Sequence, residues 1–199
     1  MSLHQDDWIK EKDFETSRDG SRLRNNDSYT VLFKETINSG GKAVSNFLIR
    51  PLLNEVSTEL KKTMRDKFAN EPKLEQAQSR RSICRRCLHR FNPGERRLLF
   101  KYRPFQKEGV FAEAGPIYIH ENDCQPDAEI LKSYPNEFRE LPLLLRAYTK
   151  EDGQVDSKLI KDGDAEMLID EFFARPEVAY IHLRDGESGC YYARIERDA

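Results

Sequence analysis

No stretch of this 199-residue chain approaches the roughly 18 consecutive apolar residues of a membrane-spanning helix, so none is expected. Met1 to Asp13 lacks the basic-then-apolar pattern of a secretory signal, which points to the cytoplasm. Cysteine is scarce. Cys84, Cys87, Cys124 and Cys190 are the full complement, and a chain of this size does not need disulfide stapling, so reduced thiols are expected. Glycine-rich phosphate loops, GxSxG elbows and paired-carboxylate motifs are all missing. Ser39-Gly40-Gly41 comes nearest to a phosphate loop and is too short to cradle a phosphate chain. There is no internal repeat and no low-complexity tract, which removes solenoid and collagen-like readings.

What is present is charge, and it is unevenly spread. Between Arg80 and Lys107 ten Lys or Arg face a single acid, Glu95, whereas between Glu108 and Glu177 seventeen acids face seven bases. A basic block can be a nucleic-acid footprint, but the chain's net charge of −2 gives phosphate neutralisation little to gain. The plainer account is that the two blocks neutralise each other within one fold, with no nucleic-acid partner.

Residues 1–27 are polar with few apolar anchors and read as a mobile arm, leaving 28–197 as a single domain. Ser28 to Ile37 has a short strand-like run. From Ala43 to Asn70 the spacing of Leu52, Leu53, Val56, Leu60, Met64 and Phe68 predicts helix, with Pro51 near its start, and Glu71 to Ser82 reads as a polar link. Strand alternation follows at Arg97–Arg103 and Gly115–His120, then a buried run at Leu141–Tyr148 with a turn at Asp152-Gly153. Ala165, Leu168, Ile169, Phe172 and Phe173 form a helical stripe, with Asp164 as its N-cap and Pro176 as its stop. Val178–Arg184 and Cys190–Arg197 close the chain as a hairpin. Strands joined by turns, without alternating crossover helices, predict an α+β fold with a largely antiparallel sheet, a C-terminal β-hairpin and a few packed helices.

The terminal hairpin carries the densest chemistry. Period two places Ala179, Ile181 and Leu183 with Tyr191, Ala193 and Ile195 on a core face. Tyr180, His182, Arg184, Cys190, Tyr192 and Arg194 then share the other face, in a register setting Arg184 opposite Cys190 and His182 opposite Tyr192. An ordinary wet face of an antiparallel sheet is the plainer account of that side. By the same parity Ile117 and Ile119 turn Tyr118 and His120 away from the core. If these strands belong to one sheet, His120 joins His182, Arg184 and Cys190 around a cationic concavity.

Two kinds of thiol chemistry are conceivable. Cys84-x2-Cys87-x-His89 resembles half of a zinc site, and His120-x3-Cys124 could supply the rest, yet a second matching Cys-x2-Cys is absent. The reading is therefore no metal and no cofactor, with Cys84, Cys87, His89 and Cys124 as the alternative ligand set. Cys190, beside Arg184, Arg194 and His182, could be an activated nucleophile, although a small residue packed at a strand start is the simpler explanation.

An ordered series of segments runs through the second half of the chain. It comprises Cys84-Arg85, Pro93-Gly94-Glu95-Arg96, Gly115 to His120, Leu145-Arg146-Ala147-Tyr148, Val178 to His182 and Gly189 to Arg194. This series resembles the bacterial domain-of-unknown-function family 1203 over about residues 83–197. The resemblance implies no established activity. Cys84, Arg85 and Cys190 fall within the family-like segments, whereas His89 departs from them, which weakens any ligand set that uses it.

Two function classes follow. The first is a soluble module that binds a small acidic ligand through His120, Arg146, His182, Arg184 and Arg194, since guanidinium forks match carboxylates and phosphates. The second is an enzyme acting on a small acidic substrate, with Cys190 or His182 in the chemistry. A protein-interaction domain is a third, plainer alternative. Oligomeric state is not legible.

Overall fold

Strand pairing across long sequence separations sets the architecture. The computed structural model describes residues 46–126, 128–160 and 165–198. Its elements are β1 (Phe47–Arg50), α1 (Asn54–Thr63), β2 (Lys73–Gln76), β3 (Arg96–Tyr102), β4 (Gly115–His120), a 3₁₀ turn (Asn136–Phe138), β5 (Leu143–Tyr148), β6 (Gln154–Ile160), α2 (Ala165–Phe173), β7 (Tyr180–Asp185) and β8 (Tyr191–Arg197). They build a five-stranded sheet in the order β1-β8-β7-β5-β6 and a three-stranded sheet in the order β2-β3-β4. Every strand pairing is antiparallel, as the α+β reading expected.

The large sheet packs one face against α2. Leu143, Leu145 and Ala147, Ile181 and Leu183, Ala193 and Ile195, and Phe47 and Ile49 form a core with Ile169 and Phe172. The opposite face is also covered, by the small sheet and by the connection between β3 and β4. A second cluster there joins Leu52 and Leu60 to Cys84, Phe91, Leu98, Phe100, Ile117, Ile119 and Tyr191. A third sets Phe105 of the β3–β4 connection against Tyr148 and Tyr180.

Three parts of the sequence reading change. The helix expected from Ala43 to Asn70 is a strand followed by a shorter helix. Phe47 and Ile49 are fully buried at period two because β1 completes the β8 edge, with Ile49 opposite Ile195. The helix runs only from Asn54 to Thr63 and stops where Met64 turns left-handed at φ 50°, leaving Met64 and Phe68 exposed. The expected polar link contains β2, an edge strand whose Glu75 lies opposite Arg97 and pairs with it at 3.2 Å. Beyond the Asp152-Gly153 turn the chain forms β6, to which the sequence reading assigned no element. The arm at 1–27, the run at Ser28–Ile37 and Asp164 lie outside the described residues.

Candidate functional site

The polar face of the hairpin is buried. His182 is 0% exposed and Arg184 3%, so this side of the sheet is not the wet face that parity alone expects. Phe105 packs edge-on against both Tyr148 (5.2 Å between centroids) and His182 (4.9 Å). Tyr180 and Tyr191 complete the box, each 5.1 Å from the His182 ring. Burial first, then the charges of Arg184, Arg194 and Arg146, hold the His182 pKa well below its ordinary value. The imidazole is therefore neutral at physiological pH. Its Nδ1 lies 3.4 Å from Arg184 Nη2, which can only donate, so Nδ1 accepts and Nε2 carries the proton. Among the described residues no partner meets that Nε2–H, and the imidazole orients Arg184 through Nδ1.

The hairpin register differs from the expected one. His182 lies opposite Arg194, a two-residue slip that preserves faces, and a bulge then sets Arg184 opposite Tyr191 and leaves Tyr192 unpaired. The bulge exchanges the two tyrosines. Tyr191 faces His182, while Tyr192 turns into the α2 core, 5.5 Å from Phe138, and donates its hydroxyl to Asp185 Oδ2 at 2.7 Å.

Two guanidinium groups converge on one carboxylate. Arg184 Nη1 lies 2.6 Å from Glu113 Oε1, and Arg146 Nη1 donates to the same oxygen at 2.7 Å. Arg184 Nη1 also donates to the Gly189 carbonyl at 3.0 Å. Glu113 stands on the β3–β4 connection, with its side chain about half exposed (48%). Beside it opens a cleft of about 120 Å³, lined in part by Arg184, Ser188, Gly189, Cys190 and Tyr191. Arg194 is committed elsewhere, its guanidinium 3.7 Å over the Tyr180 ring and its Nε donating to Glu196 Oε1 at 2.8 Å.

His120 does not join this face. It ends β4 in the other sheet, where its Nδ1 lies 3.5 Å from Cys87 Sγ and its Nε2 3.3 Å from Glu95 Oε2. Cys84, Cys87, His120 and Cys124 converge, each offering one ligand atom within 4.8 Å of the others. His89, placed in the expected ligand set, points outward. Its carbonyl instead accepts the Cys84 N–H at 2.9 Å, and its place in the cluster passes to His120. Burial opposes a thiolate at Cys84, yet hydrogen bonds from Cys124, Cys87 and His120 outweigh it and hold its pKa well below the ordinary value. Burial likewise opposes a charged His120, but hydrogen bonds to Cys124 and Cys84 push its pKa up to about 10.

The basic block is largely neutralised within the fold. Arg86 meets Glu129 at 2.7 Å, Arg103 meets Glu108 at 2.9 Å, and Arg90 lies between Glu137 and Glu140 at 3.3 and 3.2 Å.

A comparison with protein families matches residues 82–197, more than half of the chain, to DUF1203, described as a protein of unknown function. The chain belongs to the DUF1203 family. No curated protein and no solved structure matches it. The DUF1203 segment contains both constellations, the Arg146–Arg184 pair and the Cys/His cluster. It does not contain β1, which lies at residues 47–50 and pairs with β8. The sequence reading missed Glu113. Its sequence signal is one of two acids, with Glu108, in a long strand connection, and that cannot be told from an ordinary surface charge.

Proposed function

We propose that this DUF1203 protein binds a small oxyanion, a carboxylate or a phosphate group, at the Arg146–Arg184 pair. Glu113 occupies the position that the ligand takes. The observation that carries this reading is the convergence of two guanidiniums on a single oxygen, at 2.6 and 2.7 Å. A nearly buried guanidinium such as Arg184 requires a counter-charge, and Glu113 supplies one from a half-exposed position from which it can swing away. The adjoining cleft has room for one charged headgroup, so the remainder of a larger ligand would extend into solvent. His182 serves here as a positioning residue that fixes the Arg184 plane. His120 and Arg194, expected in the ligand set, are not needed by this reading.

Titration with inorganic phosphate and with acetate, followed by amide chemical shifts, tests it. Saturable shifts at Gly189, Cys190 and Tyr191 are expected. Glu113→Gln should bind more tightly and Arg146→Ala more weakly, each by about 10- to 150-fold, the equivalent of one charge-assisted hydrogen bond of about 1.5–3 kcal/mol. No saturable binding by either wild type or Glu113→Gln would overturn the proposal. Because Cys190 lines the same cleft as Arg184, an enzymatic reading keeps one specific support. Fast alkylation of Cys190 by iodoacetamide at neutral pH, suppressed by phosphate, would favour that reading over simple binding.

A further inference from the structure

We infer that Cys84, Cys87, His120 and Cys124 hold one zinc ion in a closed structural site. A tetrahedral ion with Zn–S of about 2.3 Å and Zn–N of about 2.0–2.1 Å sets its ligand atoms about 3.8 Å apart for sulfur pairs and about 3.5 Å apart for a sulfur–nitrogen pair. The cluster already has Cys84 Sγ and Cys124 Sγ 3.7 Å apart, and Cys87 Sγ and His120 Nδ1 3.5 Å apart. The widest pair is within 4.8 Å, so loading requires a contraction of up to about 1 Å and no rebuilding of the backbone.

The local backbone is built for ligation. From Cys84 to Leu88, across Cys87, the chain makes a tight turn, in which the Leu88 N–H donates to the Cys84 carbonyl at 2.8 Å and Leu88 itself is left-handed at φ 62°. The turn aims both sulfurs the same way. The His120 N–H donates to Cys84 Sγ at 3.4 Å, a contact stronger for a thiolate than for a thiol, whose sulfur is only a weak acceptor. Glu95 lies 3.3 Å from Nε2 of His120, so Nδ1 is the ring nitrogen that faces the sulfurs, and its proton leaves when the metal binds. A carboxylate behind a ligating histidine is the usual second layer of a zinc site.

The donor set chooses the metal class. Three thiolates and an imidazole suit a borderline-soft ion such as zinc, not magnesium or calcium. Four protein ligands leave no coordination position for water, so the ion ties β4 to the Cys84–Cys87 turn and performs no hydrolysis. Loading passes the protons still held by the cluster to solvent and changes no oxidation state. The same turn carries Arg85, whose buried guanidinium donates to the Tyr191 carbonyl at 2.7 Å and lies 4.3 Å over the Tyr192 ring. The metal would thereby stiffen the joint between the two sheets. This inference is independent of the oxyanion reading.

The experiment is elemental analysis of the full chain, expressed with added zinc and purified without chelator, alongside cobalt(II) reconstitution of the same protein. Near one zinc per chain is expected, together with the intense visible bands of tetrahedral thiolate-bound cobalt. His89→Ala should keep its zinc, while His120→Ala and Cys124→Ser should lose it about tenfold or more. Cobalt spectra of the wild-type chain keep the test decisive where a variant fails to fold. Less than about 0.1 metal per chain with no cobalt bands would overturn the inference. So would retention of zinc by folded His120→Ala, or recovery of a Cys84–Cys124 disulfide in place of the ion.

Discussion

Acidification should weaken this protein at a pH where most carboxylates are still ionised, and His182 is the reason. In the unfolded chain a histidine takes up its proton near pH 6.5. In the folded protein burial and the neighbouring arginines hold His182 well below that value. Between the two values the unfolded state binds the extra proton, so stability is full above about pH 6.5 and falls as the pH falls, by about 1.4 kcal/mol per pH unit. From about pH 6.5 to about pH 5 the loss is about 2 kcal/mol, a large fraction of a typical domain's stability of about 5–15 kcal/mol. The Cys84 thiolate, also held well below its ordinary pKa, weakens on acidification too, so the comparison with a His182 variant is what isolates the histidine's share. Asp185 and Glu196 have depressed pKa values, so their contributions are lost mainly as the pH falls below about 4.5.

The assay is urea denaturation across this window for the wild type and His182→Gln, whose amide can still accept from Arg184 but cannot titrate. The wild type should lose about 2 kcal/mol more than the variant. Side-chain NMR supplies the direct check, with His182 remaining in the neutral Nε2–H form throughout. A His182 resonance titrating near 6.5, or equal slopes in the two proteins, would refute the reasoning.

Two further outcomes follow from the same packing. Phe105→Ala should cost about 3–5 kcal/mol and admit water to the aromatic box, raising the His182 midpoint measured by NMR; an unchanged midpoint would show that Phe105 does not seal it. Gly186→Ala should lower the thermal midpoint by the equivalent of about 1–3 kcal/mol, because a Cβ there would lie 2.7 Å from the Pro142 carbonyl carbon and oxygen; an unchanged midpoint would refute that account.

The strands that the sequence reading overlooks share a position within the sheets. β3, β7 and β8 are legible by alternation and β5 as a buried run, and each of these four has a neighbour on both sides; β4, at an edge, is legible too because Ile117 and Ile119 alternate cleanly. The strands missed, β1, β2 and β6, all lie at sheet edges. An edge strand faces water along one side, and polar residues such as Lys73, Glu75, Asp156 and Lys158 dilute the period-two signal. β1 was lost for a different reason. Its apolar residues run on into those of α1, and only pairing with β8, some 145 residues later, separates strand from helix.

The site was legible in its residue types and not in its geometry, and the bulge in β8 shows why. Parity placed His182, Arg184 and Arg194 on one face, and that holds because a two-residue slip of register leaves faces unchanged. One extra residue does not. Tyr192, unpaired between Ala193 and Tyr191, reverses the parity of everything before it, so Tyr191 and not Cys190 meets Arg184. No local pattern announces this, since Tyr191 and Tyr192 are the same residue type and either could fill either side. The second obstacle was sheet membership. His120 alternates as expected within β4, but β4 belongs to the other sheet, where three cysteines spread over 40 residues meet it. Spacing along the chain pointed to His89, two residues from Cys87. His89 is exposed, and the imidazole comes from His120, which the His120-x3-Cys124 spacing also offered and which β4 delivers by ending where the sulfurs converge.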